Sequence, residues 1–390
     1  MLMTWEDVLS AEKKEDRRLI RRFDCGVSVH RQNRSLIIIP PTKDWRAIST
    51  GNFNGGFMSS PSAIFNTTSL GGFAGRDLMP KSRDVLREYS SGCARLVDLD
   101  PDSVIGLGTA AHMDNAALGS YSSEGIEVSA AITGGIRGNG GRAGDFAIFD
   151  EMERNLNKNG TIVIILIIDA DLSDSALLGA MMTATEAKSK TILKLMGKSL
   201  YSTGIATGSG TDQVVVICNK NSDTKVEKYR NNSRLAKIIK ECVENTLAEA
   251  LDRQSMMNSE TQCNPYVMIS RYKITEMNCH EEIVYPFEMK DLRKGVEILS
   301  KDAKLTATVL AILHIMDEIE WKLIPQKEGA DVCKSIILSS LNGPSMNDPV
   351  LKRRIESTDA VLDMLKLFMA MMLFDATHAI AAKEKTGGAL

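Results

Sequence analysis

Thr161-Ile162-Val163-Ile164-Ile165-Leu166-Ile167-Ile168 is an unbroken aliphatic run, rich in β-branched residues and closed by Asp169-Ala170-Asp171. It does not alternate with polar residues, so it reads as a strand buried on both faces. Ser173 or Asp174 then caps a helix that runs through Ala176, Leu177, Met181, Met182, Ala187 and Ile192 to Met196. Residues 214–218 form a second buried strand. Strand, helix and strand in succession set an α/β fold at the centre of the chain.

Upstream, the sequence predicts a charged helix over residues 5–22 and a strand over 36–39 stopped by Pro40-Pro41. Residues 47–56 read as a polar, glycine-bearing stretch, and 60–68 as a helix opened by Ser60 with Pro61 in its first turn. A helix at 84–97 and strands at 103–111 and 126–133 follow, then a glycine-dense loop over 134–144. Downstream, 233–251 is an amphipathic helix. These elements alternate loosely, which predicts a mixed β-sheet with packed helices.

After Arg253 glycine becomes rare and long helices dominate, at 288–299, 305–321, 332–341 and 355–382, with one strand expected at 266–274. The predicted organisation is an α/β domain over 1–254 and an all-helical C-terminal domain over 255–390. A chain of 390 residues is long enough for two cores.

Composition narrows the function. Hydrophobic content of 43%, charged content of 25% and a net charge of -3 are those of a globular protein with no electrostatic reason to bind nucleic acid. The seven cysteines show no CxxC spacing, which suits reduced thiols better than disulfides or a zinc site. The five histidines have no metal-ligand spacing, so no metal or cofactor is expected. The N-terminal stretch is too charged for a signal peptide, and the longest apolar runs, 162–168 and 367–374, are too short to span a bilayer. The expected location is the cytoplasm.

Three segments are candidates for chemistry. Residues 134–145, Gly-Gly-Ile-Arg-Gly-Asn-Gly-Gly-Arg-Ala-Gly-Asp, can turn successive N–H groups toward an anionic or amide oxygen, with Arg137 or Arg142 adding charge; a surface hairpin tip fits equally well. In Thr183-Ala184-Thr185-Glu186-Ala187-Lys188, Glu186 shares a helical face with Met182, a face expected to be buried, and a buried carboxylate suits general acid–base work. Lys188 by itself reads as solvated. Ala206-Thr207-Gly208-Ser209-Gly210-Thr211-Asp212 is a tight turn offering three hydroxyls and carrying Asp212 into an apolar strand. There an unpaired carboxylate would be costly, unless it serves an Asx-turn.

Taken together these blocks resemble the adenosylcobinamide amidohydrolase family of corrinoid salvage. Gly106-Leu107-Gly108-Thr109-Ala110-Ala111, the loop from Thr133 through Asn139 to Asp145, the stretch from Gly160 through Asp169 to Lys188, and residues 206–212 carry the resemblance, with Gly55, Gly56 and Asn66 upstream. It covers roughly residues 25–250. The resemblance implies cleavage of the amide between the aminopropanol arm and the corrin ring of adenosylcobinamide, giving adenosylcobyric acid. Amide hydrolysis needs a base, oxyanion donors and an acid for the leaving amine. On that chemistry the expected roles are Glu186 as base or acid with Lys188 as its electrostatic partner, and Asp212 orienting a hydroxyl or water. Thr185, Thr207 and Thr211 are then candidate nucleophiles, with Asn139 and glycine N–H groups stabilising the oxyanion. Gly55, Gly56, Asn66, Gly135, Arg142, Thr207, Gly208 and Gly210 would line the substrate site. Phe53, Phe57 and Phe65 with Asn52, Asn54 and Asn66 offer the mixed surface a corrin needs. The DxHxxG signature of cobalamin-dependent mutases is missing, so the corrinoid is expected as substrate, not cofactor. The competing expectations are a corrinoid-binding paralogue without catalysis and a hydrolase of another amide. Neither a nucleic-acid nor a membrane partner is expected, and the C-terminal helices read as either a packing element or a homo-oligomer surface.

Overall fold

The computed structural model describes residues 15–68, 83–146, 161–283 and 285–385. The chain divides into two compact units, Met1–Asn258 and Ser259–Leu390.

In the first unit the strands are β1 (Arg18–Arg22), β2 (Ser28–Gln32), β3 (Ser35–Ile39), β4 (Trp45–Ser49), β5 (Gly56–Ser59) and β6 (Ala63–Thr68), followed by helix α1 (Arg83–Leu96). Next come β7 (Val104–Thr109), β8 (Ala117–Ser123), β9 (Ile126–Thr133), β10 (Gly140–Gly141), β11 (Val163–Ile168) and β12 (Asp171–Leu172). Helix α2 (Asp174–Lys194), β13 (Gly208–Ser209), β14 (Gln213–Asn219), β15 (Lys225–Val226) and α3 (Arg234–Ser255) complete it.

Two mixed sheets result, a five-stranded one ordered β1-β2-β3-β6-β7 and a six-stranded one ordered β5-β4-β14-β11-β9-β8. They stack face to face. Leu36, Ile38, Ile64 and Ile105 of the first sheet share one core with Trp45, Ala47, Val163, Ile165 and Val215 of the second. The outer face of the larger sheet, with Ile164, Leu166 and Val216, is covered by α2 and α3. The outer face of the smaller, with Ile37, Phe65 and Val104, packs on Cys93, Ala94 and Leu96 of α1. The order of layers is helix, sheet, sheet, helix. A strand between a second sheet and a helix layer has no solvent face, which is why β11 is apolar at every position.

Four expectations change. Residues 18–22 are an exposed edge strand instead of a helix, and the rest of the helix expected at 5–22 lies outside the described residues apart from 15–17. Residues 45–49 form β4, and 63–68 form β6 because Ile64 and Phe65 are buried on opposite faces. Ser60, expected to open a helix there, has φ of 56° and closes the turn after β5. The strand expected at 266–274 is a short helix, Pro265–Ile269, whose first turn Asn264 caps through Tyr266 N–H and Val267 N–H.

The second unit is helical: α4 (Ser259–Gln262), α5 (Pro265–Ile269), α6 (Glu276–Glu281), α7 (Met289–Ser300), α8 (Ala303–Glu320), α9 (Gln326–Ser340), α10 (Pro349–Ser357) and α11 (Val361–Lys385). Its core includes Ile269, Ile312, Leu313, Ile337, Ile355 and Phe368. Arg271 Nη2 meets Asp317 Oδ2 at 2.7 Å, with both side chains buried. Helix α11 is longer than the apolar run at 367–374: over Val361–Lys383 it is long and apolar enough to cross a bilayer by length and composition. Yet 61% of its most apolar window is buried within the protein, as in the central helix of a bundle.

Candidate functional site

Side-chain alternation shows where the sandwich turns polar. Along β11, Val163, Ile165 and Ile167 face the other sheet, while Ile164, Leu166 and Ile168 face the helices. Following the inter-sheet positions to one end of the strands, Ala47 gives way to Ser49, Ile64 to Asn66, Leu107 to Thr109 and Ala131 to Thr133. Gln213 stands opposite Val163 in register and precedes Val215 on the same face. All five polar side chains are buried. Asn66 Nδ2 donates to Thr133 Oγ1 at 3.0 Å, and Gln213 Nε2 donates to the Gly108 carbonyl at 2.9 Å, tying the two sheets together at this end. Asn66 Oδ1 is buried with no hydrogen-bond partner among the described residues.

On the helix side of the same strand ends lies an ion pair. Asp212, one residue before Gln213, points the other way and meets Lys188 Nζ at 2.5 Å, each side chain being 10% exposed. Its carboxylate also accepts from Ile162 N–H (3.0 Å), Ser209 N–H (3.0 Å) and Ser209 Oγ (2.6 Å). Four donors therefore hold one carboxylate. Gly208 passes so close that a Cβ there would collide with Asp212 Oδ2 and stand 2.6 Å from Lys188 Nζ.

The two glycine turns form one structure. Gly140 and Gly141 pair antiparallel with Ser209 and Gly208, and Thr207 N–H donates to the Gly141 carbonyl at 2.9 Å. Asn139, 4% exposed, donates from Nδ2 to Thr211 Oγ1 (3.2 Å) and accepts from Tyr201 OH (2.8 Å). Thr211 Oγ1 lies 2.7 Å from Thr161 Oγ1. Gly210 sits against Asn139, its Cβ position 3.6 Å from Asn139 Oδ1. Beside this ladder Asp145 accepts from Ser199 Oγ (2.6 Å), Ser202 Oγ (2.5 Å) and Arg142 N–H (2.9 Å). The Arg142 side chain packs on Gly204.

Burial pushes the Asp145 carboxyl up, but the Ser199 and Ser202 hydroxyls and the N–H and charge of Arg142 outweigh it and hold the group below its ordinary value. A carboxylate depressed on folding adds stability above the unfolded-state value of 3.8 and loses it as pH falls through the lower folded value. The expected result is that wild type exceeds Asp145→Asn in stability by a constant margin above about pH 5, shrinking toward pH 3. Urea melts across that range check it.

Glu186 does not join this cluster. The face of α2 that packs inward is Ala176, Ala180, Ala184, Ala187 and Lys188, and Met182 is 66% exposed. Small residues let α2 lie close to its neighbours, so the larger Met182 and with it Glu186 turn outward. Glu186 accepts from Asn231 Nδ2 at 2.7 Å. Asn231 Oδ1 in turn accepts from Thr183 Oγ1, and Tyr229 OH donates to Thr183, with the Tyr229 ring seated on Gly179. That chain pins the 220–233 loop onto α2. Thr185 is exposed and donates to the Met181 carbonyl of its own helix.

Of the remaining positions, Gly55 lies exposed in the turn between β4 and β5, Gly56 is the exposed first residue of β5, and Gly135 packs beside Gln254. Phe53 and Phe65 are core residues stacked edge to face, and Asn54 is occupied by the Pro101 and Val104 carbonyls. Phe57 alone of the three phenylalanines is exposed. Sequence reasoning passed over Thr133, Thr161, Gln213, Tyr201 and Asp145 as site residues. The signal was available for three of them, as polar residues at the ends of β-branched strands. Among the described residues no cluster of three or more His, Cys, Asp or Glu side chains is arranged to hold a metal ion.

An ammonium, a carboxylate, clustered hydroxyls and two opposed glycine turns thus meet at one end of a four-layer α/β sandwich. The whole cluster falls within residues 21–259, which match the family described as adenosylcobinamide amidohydrolase, and the chain belongs to that family. An uncharacterised protein of Methanocaldococcus jannaschii is 29% identical over 181 residues, covering 43% of this chain and 70% of that one. A solved Pyrococcus horikoshii OT3 protein aligns with TM-score 0.28 and 15% identity, covering 60% of this chain and 81% of that one, too distant to support a structural conclusion.

Proposed function

We propose that the protein hydrolyses the amide between the aminopropanol arm and the corrin ring of adenosylcobinamide, releasing adenosylcobyric acid. The observation that carries this reading is that the family match spans every residue of the Lys188–Asp212 cluster and the glycine ladder beside it. Amide hydrolysis needs a proton acceptor, a positive charge or donors near the developing oxyanion, and a proton for the leaving amine. Asp212 is the proton acceptor in this reading and Lys188 the charge that holds it in place. Asn139 and the backbone N–H groups of the ladder are the oxyanion donors. Asn66 Oδ1, a buried acceptor without a partner among the described residues, is suited to take a hydrogen bond from a substrate amide.

Purified protein incubated with adenosylcobinamide should release 1-aminopropan-2-ol and adenosylcobyric acid, read by mass spectrometry. Intact adenosylcobinamide after prolonged incubation with stoichiometric enzyme would sink the proposal. Two substitutions then separate the carboxylates. Asp212→Asn should lower kcat by about 10²–10⁴, the range that general acid–base groups supply. Glu186→Gln, which alters only the outward Asn231 contact, should keep kcat within about threefold, because an exposed hydrogen bond is worth only about 0.5–1.5 kcal/mol.

A further inference from the structure

We propose that Ser209 is the nucleophile, attacking the substrate carbonyl to form an ester that water then cleaves. This rests on the amidohydrolase reading above. An activated hydroxyl is recognised by a base within hydrogen-bond reach and a third group orienting that base. Ser209 Oγ lies 2.6 Å from Asp212 Oδ1, and Asp212 Oδ2 is held by Lys188 at 2.5 Å. The Ser209 N–H also donates to Asp212 at 3.0 Å, fixing the residue's backbone against its own base. Its place in the two-residue ladder opposite Gly140 gives it a rigid mount, and flanking Gly208 and Gly210 leave no side chain on either side.

The other hydroxyls fall short on the same criterion. Ser199 and Ser202 also have a carboxylate in reach, but they share Asp145 with each other, and its third donor is the Arg142 N–H, not an ammonium. Thr211 Oγ1 is bonded to two neutral groups, Thr161 Oγ1 at 2.7 Å and Asn139 Nδ2 at 3.2 Å, and lies 3.4 Å from Ser209 Oγ. Thr185 donates to a helix carbonyl and is exposed. Ser189 donates to the Thr207 carbonyl.

The steps balance. Ser209 Oγ bonds to the amide carbon as its proton passes to Asp212; the C–N bond then breaks and the amine leaves with that proton. Water attacks the ester, giving its proton to Asp212. The C–O bond to Ser209 breaks, the serine oxygen is reprotonated from Asp212, and the carboxylic acid departs.

Two measurements on the full chain test the assignment. A fluorophosphonate, whose phosphorus takes the place of the carbonyl carbon, should add once, at Ser209 by peptide mapping. The adduct should be lost in Ser209→Ala and form at least about tenfold more slowly in Asp212→Asn, on protein whose Trp45 emission is native. With adenosylcobinamide and rising hydroxylamine, amine release should stay constant while corrinoid hydroxamate replaces acid, as an ester intermediate requires. Hydrolysis by Ser209→Ala at a tenth or more of the wild-type rate would overturn the assignment and leave the amidohydrolase reading standing. So would the lack of both a Ser209 adduct and a hydroxamate from an enzyme that cleaves adenosylcobinamide. An Asp212-dependent Ser209 adduct without any turnover of adenosylcobinamide would do the reverse.

Discussion

Asp212→Ala is expected to cost the first unit about 3–5 kcal/mol, the largest single-residue loss of stability in the described site. The carboxylate it removes is 10% exposed and accepts four hydrogen bonds, one from an equally buried ammonium. Alanine leaves Lys188 as an unpaired charge beside Gly208 and deprives the Ile162 and Ser209 N–H groups of their acceptor. Lys188→Met in the same background should restore part of the loss, since it removes the stranded charge. It cannot restore all of it, because two buried donors stay unsatisfied at about 1–3 kcal/mol each. Asp212→Asn should fall between the single and wild type, keeping an acceptor oxygen without its charge. Trp45, 1% exposed in the inter-sheet core, reports unfolding of this unit alone once Trp5 and Trp321 are replaced by Phe. The midpoint should fall in urea with the slope unchanged. Equal midpoints for Asp212→Ala and wild type would mean that the pair is solvated in solution.

How far the sequence could be read depended on which layer a residue occupies. β11 and β14 were legible because a strand covered on both faces is apolar at every position, and so was α2, whose Ser173 cap and small-residue spacing are explicit. β6 was not. Its Ser-Pro opening imitates a helix start, and only the packing of Ile64 and Phe65 on opposite faces decides for a strand. Residues 265–269 failed in the other direction: Tyr, Val and Ile favour a strand, but the Asn264 cap with Pro265 in the first turn won.

The site was legible in part for a related reason. Spacing alone makes Lys188 look solvated and Glu186 buried, with the bulkier Met182 marking the inward face; α2 instead buries its alanines to approach the layers beneath. Glycine content located the two turns, yet their pairing as β10 and β13 is a long-range contact that no local pattern encodes. Asp212 was legible, since a carboxylate at the head of an apolar strand needs a partner.

Gly208→Ala should abolish activity while the fold persists, which isolates the geometry of the ion pair from its charge. Gly208 lies in β13 opposite Gly141, in a backbone conformation open to alanine. The obstacle is space. A methyl group there would overlap Asp212 Oδ2 and stand 2.6 Å from Lys188 Nζ, while ordinary contact begins near 3.4 Å. The lysine has a flexible stem and can withdraw. The carboxylate cannot withdraw without breaking its bonds to Ile162 and Ser209, so the relief must come from separating Lys188 from Asp212 or from shifting β13. Either movement displaces the charge that the proposed chemistry uses, and misplacement of about 1 Å costs on the order of 10² in rate. Overpacking of this kind costs about 1–3 kcal/mol. That is less than Asp212→Ala loses, because both charges keep partners or reach water. The expected outcome is a folded protein by Trp45 emission, with adenosylcobinamide cleavage down at least about 100-fold. Gly210→Ala, whose added methyl would meet only Asn139 at 3.6 Å, is the control for overpacking and should unfold within about 0.5 kcal/mol of wild type. Full activity in Gly208→Ala would show that the Lys188–Asp212 contact is not needed in its observed geometry, and would move the proton acceptor elsewhere.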